Sequence, residues 1–302
     1  MNGILLVGTV RNVSATLRAE VMQKKRLFEN LGKVNVYLVE SDSSDQTREI
    51  LAQLTQADPT IQFCTLGDIS QTIPDRIERL RNCRNAYVDY IRKFPKDTWE
   101  FVVVLDWDGM NSRLSLDGIQ NTLLRSNEWD ACFPVQSHGY YDLLALREKI
   151  WMPQNPLQLI RQEISSLDLD ARDVSLIKKL FNEYRKDRIR KRQLYEKMKV
   201  FHHQRELIEV ESAFGGMGIY RSEIFQEVNY DKYEKDEGCE HVDFNKRALS
   251  FGYRIRINPA MINSGWNSYN VNRYFLVRIY RRFGLRLSLF LYIQRMKNRQ
   301  SQ

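Results

Sequence analysis

The segment Phe101-Val-Val-Val-Leu-Asp-Trp-Asp108 ends an apolar run in two carboxylates separated by one residue. Side chains two apart on a strand share a face, and in an open α/β sheet ligands gather at the carboxyl ends of strands. Asp106 and Asp108 can therefore converge on one hard cation, Mn2+ or Mg2+, with phosphate oxygens completing its shell. The competing reading is a strand-ending turn in which Asp caps the backbone.

Three further clusters carry candidate chemistry. Val39-Glu40-Ser41-Asp42-Ser43-Ser44-Asp45-Gln46-Thr47 is a strand running into an acidic, hydroxyl-rich turn that opens a helix. Glu40 or Asp42 could accept hydrogen bonds from a ribose or a base, and Asp45 or Thr47 could cap the helix; a plain capped turn is the alternative. In Cys239-Glu240-His241-Val242-Asp243-Phe244 an acid and a histidine lead into a helix. Glu240 and His241 stand where a general base could be presented to a hydroxyl, although acids in a first helical turn also simply oppose the helix dipole. Phe214-Gly-Gly-Met-Gly218 has three glycines in five residues, which permits positive φ and close backbone approach to a ligand, or a tight turn. Arg81 and Arg84 share a helix and could pair with phosphate oxygens or lie on a solvated face.

These residues need a frame. Ile4–Val10, Val34–Val39, Ile61–Leu66 and Phe101–Leu105 are short apolar runs that read as buried strands. Between them Ser14–Leu31, Thr47–Leu54 and Ile77–Phe94 have helical spacing. The alternation predicts an α/β fold with a mostly parallel sheet flanked by helices. A charged helical insertion is expected at about 150–205, with a strongly basic run at Arg185–Arg192. A turn or sheet segment follows at Phe214–Tyr220, a helix at Asp243–Phe251 and a strand at Tyr253–Ile257. The expected catalytic domain is 1–270, followed by a basic amphipathic tail at 271–302.

Composition narrows the classes. Hydrophobic residues make up 43% and charged residues 28% of 302 positions, as in globular proteins. The four scattered cysteines offer no CxxC pair and suit a reducing compartment. The net charge of +8 is matched by the eight Lys and Arg residues between Arg273 and Arg299, where there is no acid. The body is thus close to neutral, which argues against a nucleic-acid partner. No run approaches the roughly 20 apolar residues of a membrane span and no signal peptide is evident, so a cytoplasmic location is expected. Arginines interleaved with Phe, Leu, Ile and Tyr in the tail fit either peripheral contact with the inner face of a membrane or a helix packed on the domain.

In their order, these pieces resemble the GT-A (Rossmann-like) glycosyltransferases, particularly the family-2-like enzymes. Val39, Ser43, Asp45 and Thr47 match that family's strand-two pattern, with Glu40 in place of its first Asp. Asp106 and Asp108 match its Asp-x-Asp. Ser212–Tyr220 resembles its Gly-rich segment, and Glu240, Asp243, Phe244, Arg247 and Gly252–Ile255 its Glu-Asp-x-Asp…Gly-Tyr-Arg-Ile run. Val7–Asn12 matches the loop that touches the base. The resemblance implies donor contacts at Thr9, Arg11, Glu40, Asp42, Arg81, Arg84, Asp106, Trp107, Gly215 and Gly216, a metal at Asp106 and Asp108, and a base at Glu240 or His241. His241 stands where the family has its usual Asp base. Cys-Glu-His-Val and Arg11-Asn12 are also similar to cryptococcal-type capsule mannosyltransferases, so inversion with a base and retention without one both stay open. Asn263, Trp266 and Asn267 follow the last predicted strand, where the family closes its site with a loop. The implied activity is metal-dependent transfer of a hexose from a UDP- or GDP-sugar to a glycan or lipid-linked acceptor in capsule or lipopolysaccharide synthesis. A nucleotidyltransferase is the second reading, disfavoured because Val7-Gly-Thr-Val-Arg-Asn lacks a Gly-rich basic loop; a non-catalytic binder of anionic lipid or nucleic acid is the third.

Overall fold

In the computed structural model, which describes residues 3–167, 176–201, 204–232, 238–267 and 269–270, the apolar runs of the first half form β1 (Gly3–Val10), β2 (Val34–Glu40), β3 (Ile61–Thr65) and β4 (Trp99–Leu105). They pair in parallel, β1 with both β2 and β4, and β2 with β3. The crossovers are α1 (Leu17–Glu29), α2 (Thr47–Ala57) and α3 (Arg76–Arg92). Asp75 caps α3, its Oδ1 accepting from Glu78 N at 2.8 Å.

Strand alternation divides the core between the two faces. Leu5, Val7, Val102 and Val104 pack with Tyr87, Val88 and Ile91 of α3. Ile4, Leu6, Phe101 and Val103 pack with Leu17, Val21 and Phe28 of α1 and Leu51 and Leu54 of α2. Each such side chain contributes about 1.5–3 kcal/mol on burial. Register is therefore strongly specified, because a one-residue slip would exchange the two faces.

The second half contributes α4 (Leu116–Leu124), β5 (Ala131–Gln136), α5 (Pro156–Ser165), α6 (Leu176–Gln193), β6 (Ile208–Glu209), β7 (Met217–Arg221), α7 (Ile224–Glu227), α8 (Glu240–Ser250) and β8 (Ile255–Ser264). The sheet order is β3-β2-β1-β4-β7-β5-β8-β6. The sheet is mostly but not wholly parallel: β7 runs antiparallel between β4 and β5, and β6 antiparallel to β8.

Two differences from the sequence expectation have a common cause. β5 carries Pro134 and β8 carries Pro259, and their pairing shifts register between Phe133 and Val135. Proline has no N–H to give to a ladder, so an interior strand accommodates it at an irregularity. Proline thus masks β5, and β8 runs seven residues past the expected end at Ile257. A third difference bears on the site. α8 begins at Glu240, not Asp243, so Glu240 and His241 belong to the first helical turn. Among the described residues no helix is long and apolar enough to cross a membrane. The expected tail at 271–302 lies outside the described residues.

Candidate active site

β1, β2, β4, β5 and β8 all run in one direction, so their carboxyl ends share one edge of the sheet. A cleft of about 500 Å³ opens there, within the ~300–1,000 Å³ of small-molecule sites. Thr9, Arg11, Asp42, Arg84, Asp106, Trp107, Asp108, Glu240 and His241 line it. Glu40, Arg81, Gly215 and Gly216 do not.

One half of the cleft is built from the turns after β1 and β2, which are tied to each other. Asn12 N donates to Ser43 Oγ, Val13 N to Thr47 Oγ1 and Ser14 N to Asp45 Oδ2, at 3.0–3.2 Å. Asn12 and Asp42 take left-handed backbone, φ 52° and 55°, which Asn and Asp tolerate better than most residues. Arg11 Nε donates to the Asp42 carbonyl at 3.1 Å, and Arg79 Nε stands 4.0 Å from Asp42 Oδ2. Burial works against the Asp42 charge, but hydrogen bonds from Ser70 and the Arg11 cation outweigh it and hold the carboxyl below its usual range.

Glu40 is the first correction to the donor-contact set. It is fully buried, and its carboxylate is consumed internally. Oε1 accepts from Ser43 N at 2.9 Å, while Oε2 accepts from Thr65 Oγ1 and from Arg48 Nε. It shapes the turn that carries Asp42, and a second strand ending in a glutamate cannot show that from sequence. Burial opposes its ionisation, yet the bonds from Thr65 and Ser43 and from Arg48 hold its carboxyl below the ordinary value. A lowered folded value means stability that is present above the unfolded-chain value of about 4.3 and lost as pH falls through the folded value. Glu40→Gln is expected to cost about 1–3 kcal/mol at neutral pH. The gap to the parent should shrink in acid; urea unfolding at several pH values measures it, and a pH-independent gap would contradict the charge-based account.

The centre of the cleft is acidic. Asp106 and Asp108 follow β4, and the Trp107 indole between them lies over Gly8 of β1, where an added Cβ would collide with the ring and with Leu105 O. Asp142, in the loop after β5, lines the same cleft and takes Gly215 N on Oδ2 at 2.9 Å. Burial pushes the Asp106 carboxyl up to about 7; Arg84 opposes this, and the charges of Asp108, Asp142 and Glu240 add to it. Burial also raises Asp142. Asp106 thus feels three other carboxylates and the buried guanidinium of Arg84, while Arg147 acts on Asp142. An excess of hard, negatively charged oxygen donors fits a divalent cation. Among the described residues no three His, Cys, Asp or Glu side chains could hold a metal by themselves. The protein's share would be Asp106 and Asp108, with other oxygens coming from a ligand or water.

Arg84 joins this centre to α8. It is 4% exposed; Nε donates to Glu240 Oε1 at 3.0 Å, and the guanidinium lies 5.5 Å and 5.6 Å from the rings of Phe214 and Tyr230. The first turn of α8 adds a favourable field for the Glu240 charge. His241 is 3% exposed and stacks on Phe214 at 3.6 Å, and neither ring nitrogen has a hydrogen-bond partner among the described residues. Burial, and then Arg84, depress its pKa well below the usual histidine value. The residue lines the cleft while both of its ring nitrogens are buried.

The remaining expectations are redirected inward. Arg81 is buried against Asp243 of α8 rather than the cleft. Gly215 and Gly216 do adopt positive φ, 70° and 89°, but their carbonyls feed a buried amide network behind β4. Asn111 Nδ2 donates to Asp106 O and Gly216 O, both at 2.9 Å. Asn263 Nδ2 donates to Asn111 Oδ1 and Gly215 O, and Gln136 Nε2 donates to Asn263 Oδ1. This network pins the end of β4 to β5, β7 and β8, and satisfied buried networks of this kind rigidify what they hold. Asn263 is therefore internal, not a ligand contact. The residues missed by the sequence reading are Asp142, Arg79, Tyr141 and Tyr269. Gly139-Tyr-Tyr-Asp142 was the available signal, a polar loop in the turn position after a strand that Pro134 disguised.

No protein-family model matches the chain, and no curated protein matches it. Among solved structures it is similar to S. aureus TarS 1-349, with 11% identity and a TM-score of 0.44 over 88% of this chain and 60% of that one. The same protein in complex with UDP-GlcNAc gives 11% and 0.44 over 91% and 62%. The mannosyltransferase PcManGT from Pyrobaculum calidifontis, in complex with GDP-Man and Mn2+, gives 13% and 0.47 over 86% and 56%. The chain spans about three fifths of the length of these structures.

Proposed function

We propose that the chain is a metal-dependent glycosyltransferase that moves a hexose from a nucleoside-diphosphate sugar to a hydroxyl of a glycan or lipid-linked acceptor. The observation that carries this reading is the junction at β4. Asp106 and Asp108 at the strand end line one cleft together with Arg11 and Asp42 of the β1 and β2 turns, Arg79 and Arg84 of α3, and Glu240 and His241 of α8. Paired carboxylates beside arginines suit a substrate with an anionic bridge between a nucleoside and a reacting carbon. The order of the motifs in the sequence, which resembles the GT-A enzymes, supports the same reading.

Asp106 and Asp108 are the residues that would hold the cation, which when bound supplies Lewis-acid stabilisation of the departing diphosphate. Thr9, Arg11 and Asp42 bound the nucleoside half, and Arg79 stiffens it beside Asp42. In the transfer, the acceptor oxygen bonds to the anomeric carbon, the bond from that carbon to the phosphate oxygen breaks, and the nucleoside diphosphate leaves. The acceptor proton must go to a base. Glu240, fixed by Arg84, is the side chain placed to receive it if the centre inverts; both His241 ring nitrogens are buried, and its depressed pKa makes that ring a weak proton acceptor. UDP- and GDP-sugars are the donor classes of this reading, surface polysaccharide its product, and the cytoplasm, with peripheral membrane contact through 271–302, its location.

The test is a thermal-shift panel of nucleoside diphosphates with and without Mn2+ or Mg2+. At a hundredfold excess over Kd the matching nucleotide should stabilise the protein by about 2.7 kcal/mol, and only when metal is present. If no nucleoside diphosphate raises the midpoint with either metal, the reading fails.

A further inference from the structure

Tyr141 carries a polar atom that the transfer chemistry above does not use. The residue lines the cleft in the loop after β5. Backbone bonds fix that loop: Tyr141 N donates to Gln136 Oε1 at 3.2 Å, and Leu143 N to Tyr141 O at 2.9 Å. Gln136 belongs to the amide network that holds the end of β4, so one network sets both the loop and Asp106. The Tyr141 ring stacks on Tyr269, with centroids 5.2 Å apart and planes 13° apart. Backbone and ring are both held, and with them the hydroxyl.

The hydroxyl stands beside the paired carboxylates. A Cβ added at Gly216 would lie 3.1 Å from Tyr141 Oη and 3.1 Å from Met110 Cγ, and Gly216 O receives Asp106 N at 2.9 Å. Met110 N donates in turn to Asp108 Oδ1 at 3.2 Å. The bare Cα of Gly216 therefore leaves room for a phenol next to both acids. The neighbouring Tyr140 shows the ordinary alternative: it is fully buried, and its Oη accepts from Phe214 N at 3.2 Å. Tyr141 Oη has no hydrogen-bond partner among the described residues. Burial, and then the charges of Asp142, Asp106 and Asp108, raise its pKa well above the ordinary phenol value. At neutral pH it is a protonated donor.

The sheet order decides what the hydroxyl meets. β5 lies on the side of β4 away from β1 and β2. Along the strand ends come first the β1 and β2 turns, at the nucleoside in the proposed function, then Asp106 and Asp108, then Tyr141. A nucleoside-diphosphate sugar laid in that direction carries its second phosphate, the one bonded to the hexose, past the carboxylate pair. A hydrogen bond from a phenol to a phosphate oxygen is charge-assisted and about twice as strong as a neutral one. We infer that the Tyr141 hydroxyl donates to an oxygen of the donor's second phosphate, the phosphate that leaves with the nucleoside. The proton stays on Tyr141. In naming a nucleoside diphosphate this inference rests on the proposed function.

Tyr141→Phe removes the hydroxyl and keeps the stack on Tyr269. Calorimetry with Mn2+ compares the intact parent and the variant on UMP, UDP, GMP and GDP, and chemical denaturation compares their stability without ligand. For the base that the parent binds, the variant should lose about tenfold or more in affinity for the diphosphate, and less than about threefold for the monophosphate. The denaturation midpoint should be unchanged, because the hydroxyl serves the ligand and not the fold. Equal diphosphate affinity in parent and variant, an equal loss for mono- and diphosphate, or a lowered midpoint would each overturn the assignment and leave the proposed function standing. A loss seen only with a hexose attached, in UDP-glucose or GDP-mannose, would move the hydroxyl to the sugar and equally overturn it. A parent that binds none of these nucleotides with Mn2+ or Mg2+ would sink the proposed function, and the role of Tyr141 with it.

Discussion

Asp106→Asn combined with Asp108→Asn should lower metal-dependent cleavage of the donor by about a thousandfold, the several kcal/mol expected from losing a cation that neutralises a leaving diphosphate. Asn keeps the shape of both side chains and removes the charge, so the fold should persist. The reason to expect a large effect is the charge balance of the cleft. Asp106 interacts with Asp108, Asp142 and Glu240, and Arg84 is the cation that offsets them. Two neutral amides would remove the hard anionic donors while leaving Arg11 and Arg79 in place. A second readout separates binding from chemistry. The stabilisation by nucleoside diphosphate should lose its requirement for Mn2+, falling to whatever Arg11 and its neighbours supply alone. Donor cleavage comparable to the parent in the double variant would remove the metal role from these residues.

Arg84→Met should be the most damaging single change to the fold among the cleft residues, at about 3–5 kcal/mol. The guanidinium is buried and hydrogen-bonded to the buried Glu240 carboxylate. Methionine has similar bulk but strands that charge beside Asp106 and Asp142. Lysine would not substitute well, since one ammonium cannot reproduce a planar group whose Nε meets Glu240, whose Nη1 meets Tyr87 Oη at 3.5 Å and whose face meets two aromatic rings. The double variant Arg84→Met/Glu240→Gln removes both charges and should recover much of the stability without recovering donor cleavage. Chemical denaturation of the parent, the two single variants and the double variant gives the coupling directly. A coupling near zero would show that the pair is incidental to the fold.

Much of the frame was legible because its signals are local. β1, β2, β3 and β4 are runs whose hydrophobicity exceeds anything a loop could bury, and the segments between them carry helical spacing. Asp106 and Asp108 could be placed at a strand end by counting along one segment. The errors lie where a local signal was overridden. β5 and the far half of β8 were not anticipated, and the sheet carries Pro134 and Pro259 there by shifting register. Glu40 occupies a position where a ligand contact was expected, and tertiary neighbours from β3 and α2 claim its carboxylate. The glycines at 215 and 216 have the backbone conformation expected of them, but it serves close packing against Gln136, Met110 and Tyr141 rather than a ligand.

The strand–helix alternation, the face each strand residue takes and the paired carboxylates at the end of β4 are local properties of the chain. Periodicity and apolar burial act over a few residues and are written in them. Which charges meet is settled by long-range packing. Arg84 and Glu240 are 156 residues apart, Arg81 and Asp243 162. Asp142 enters the same cleft as Asp106 through a strand order that sets β7 between them. The carboxylate pair at 106 and 108, with which the chemistry began, needs that long-range assembly. Asp142 and Glu240 stand near enough to act on Asp106, and they come from segments the chain brings together only on folding.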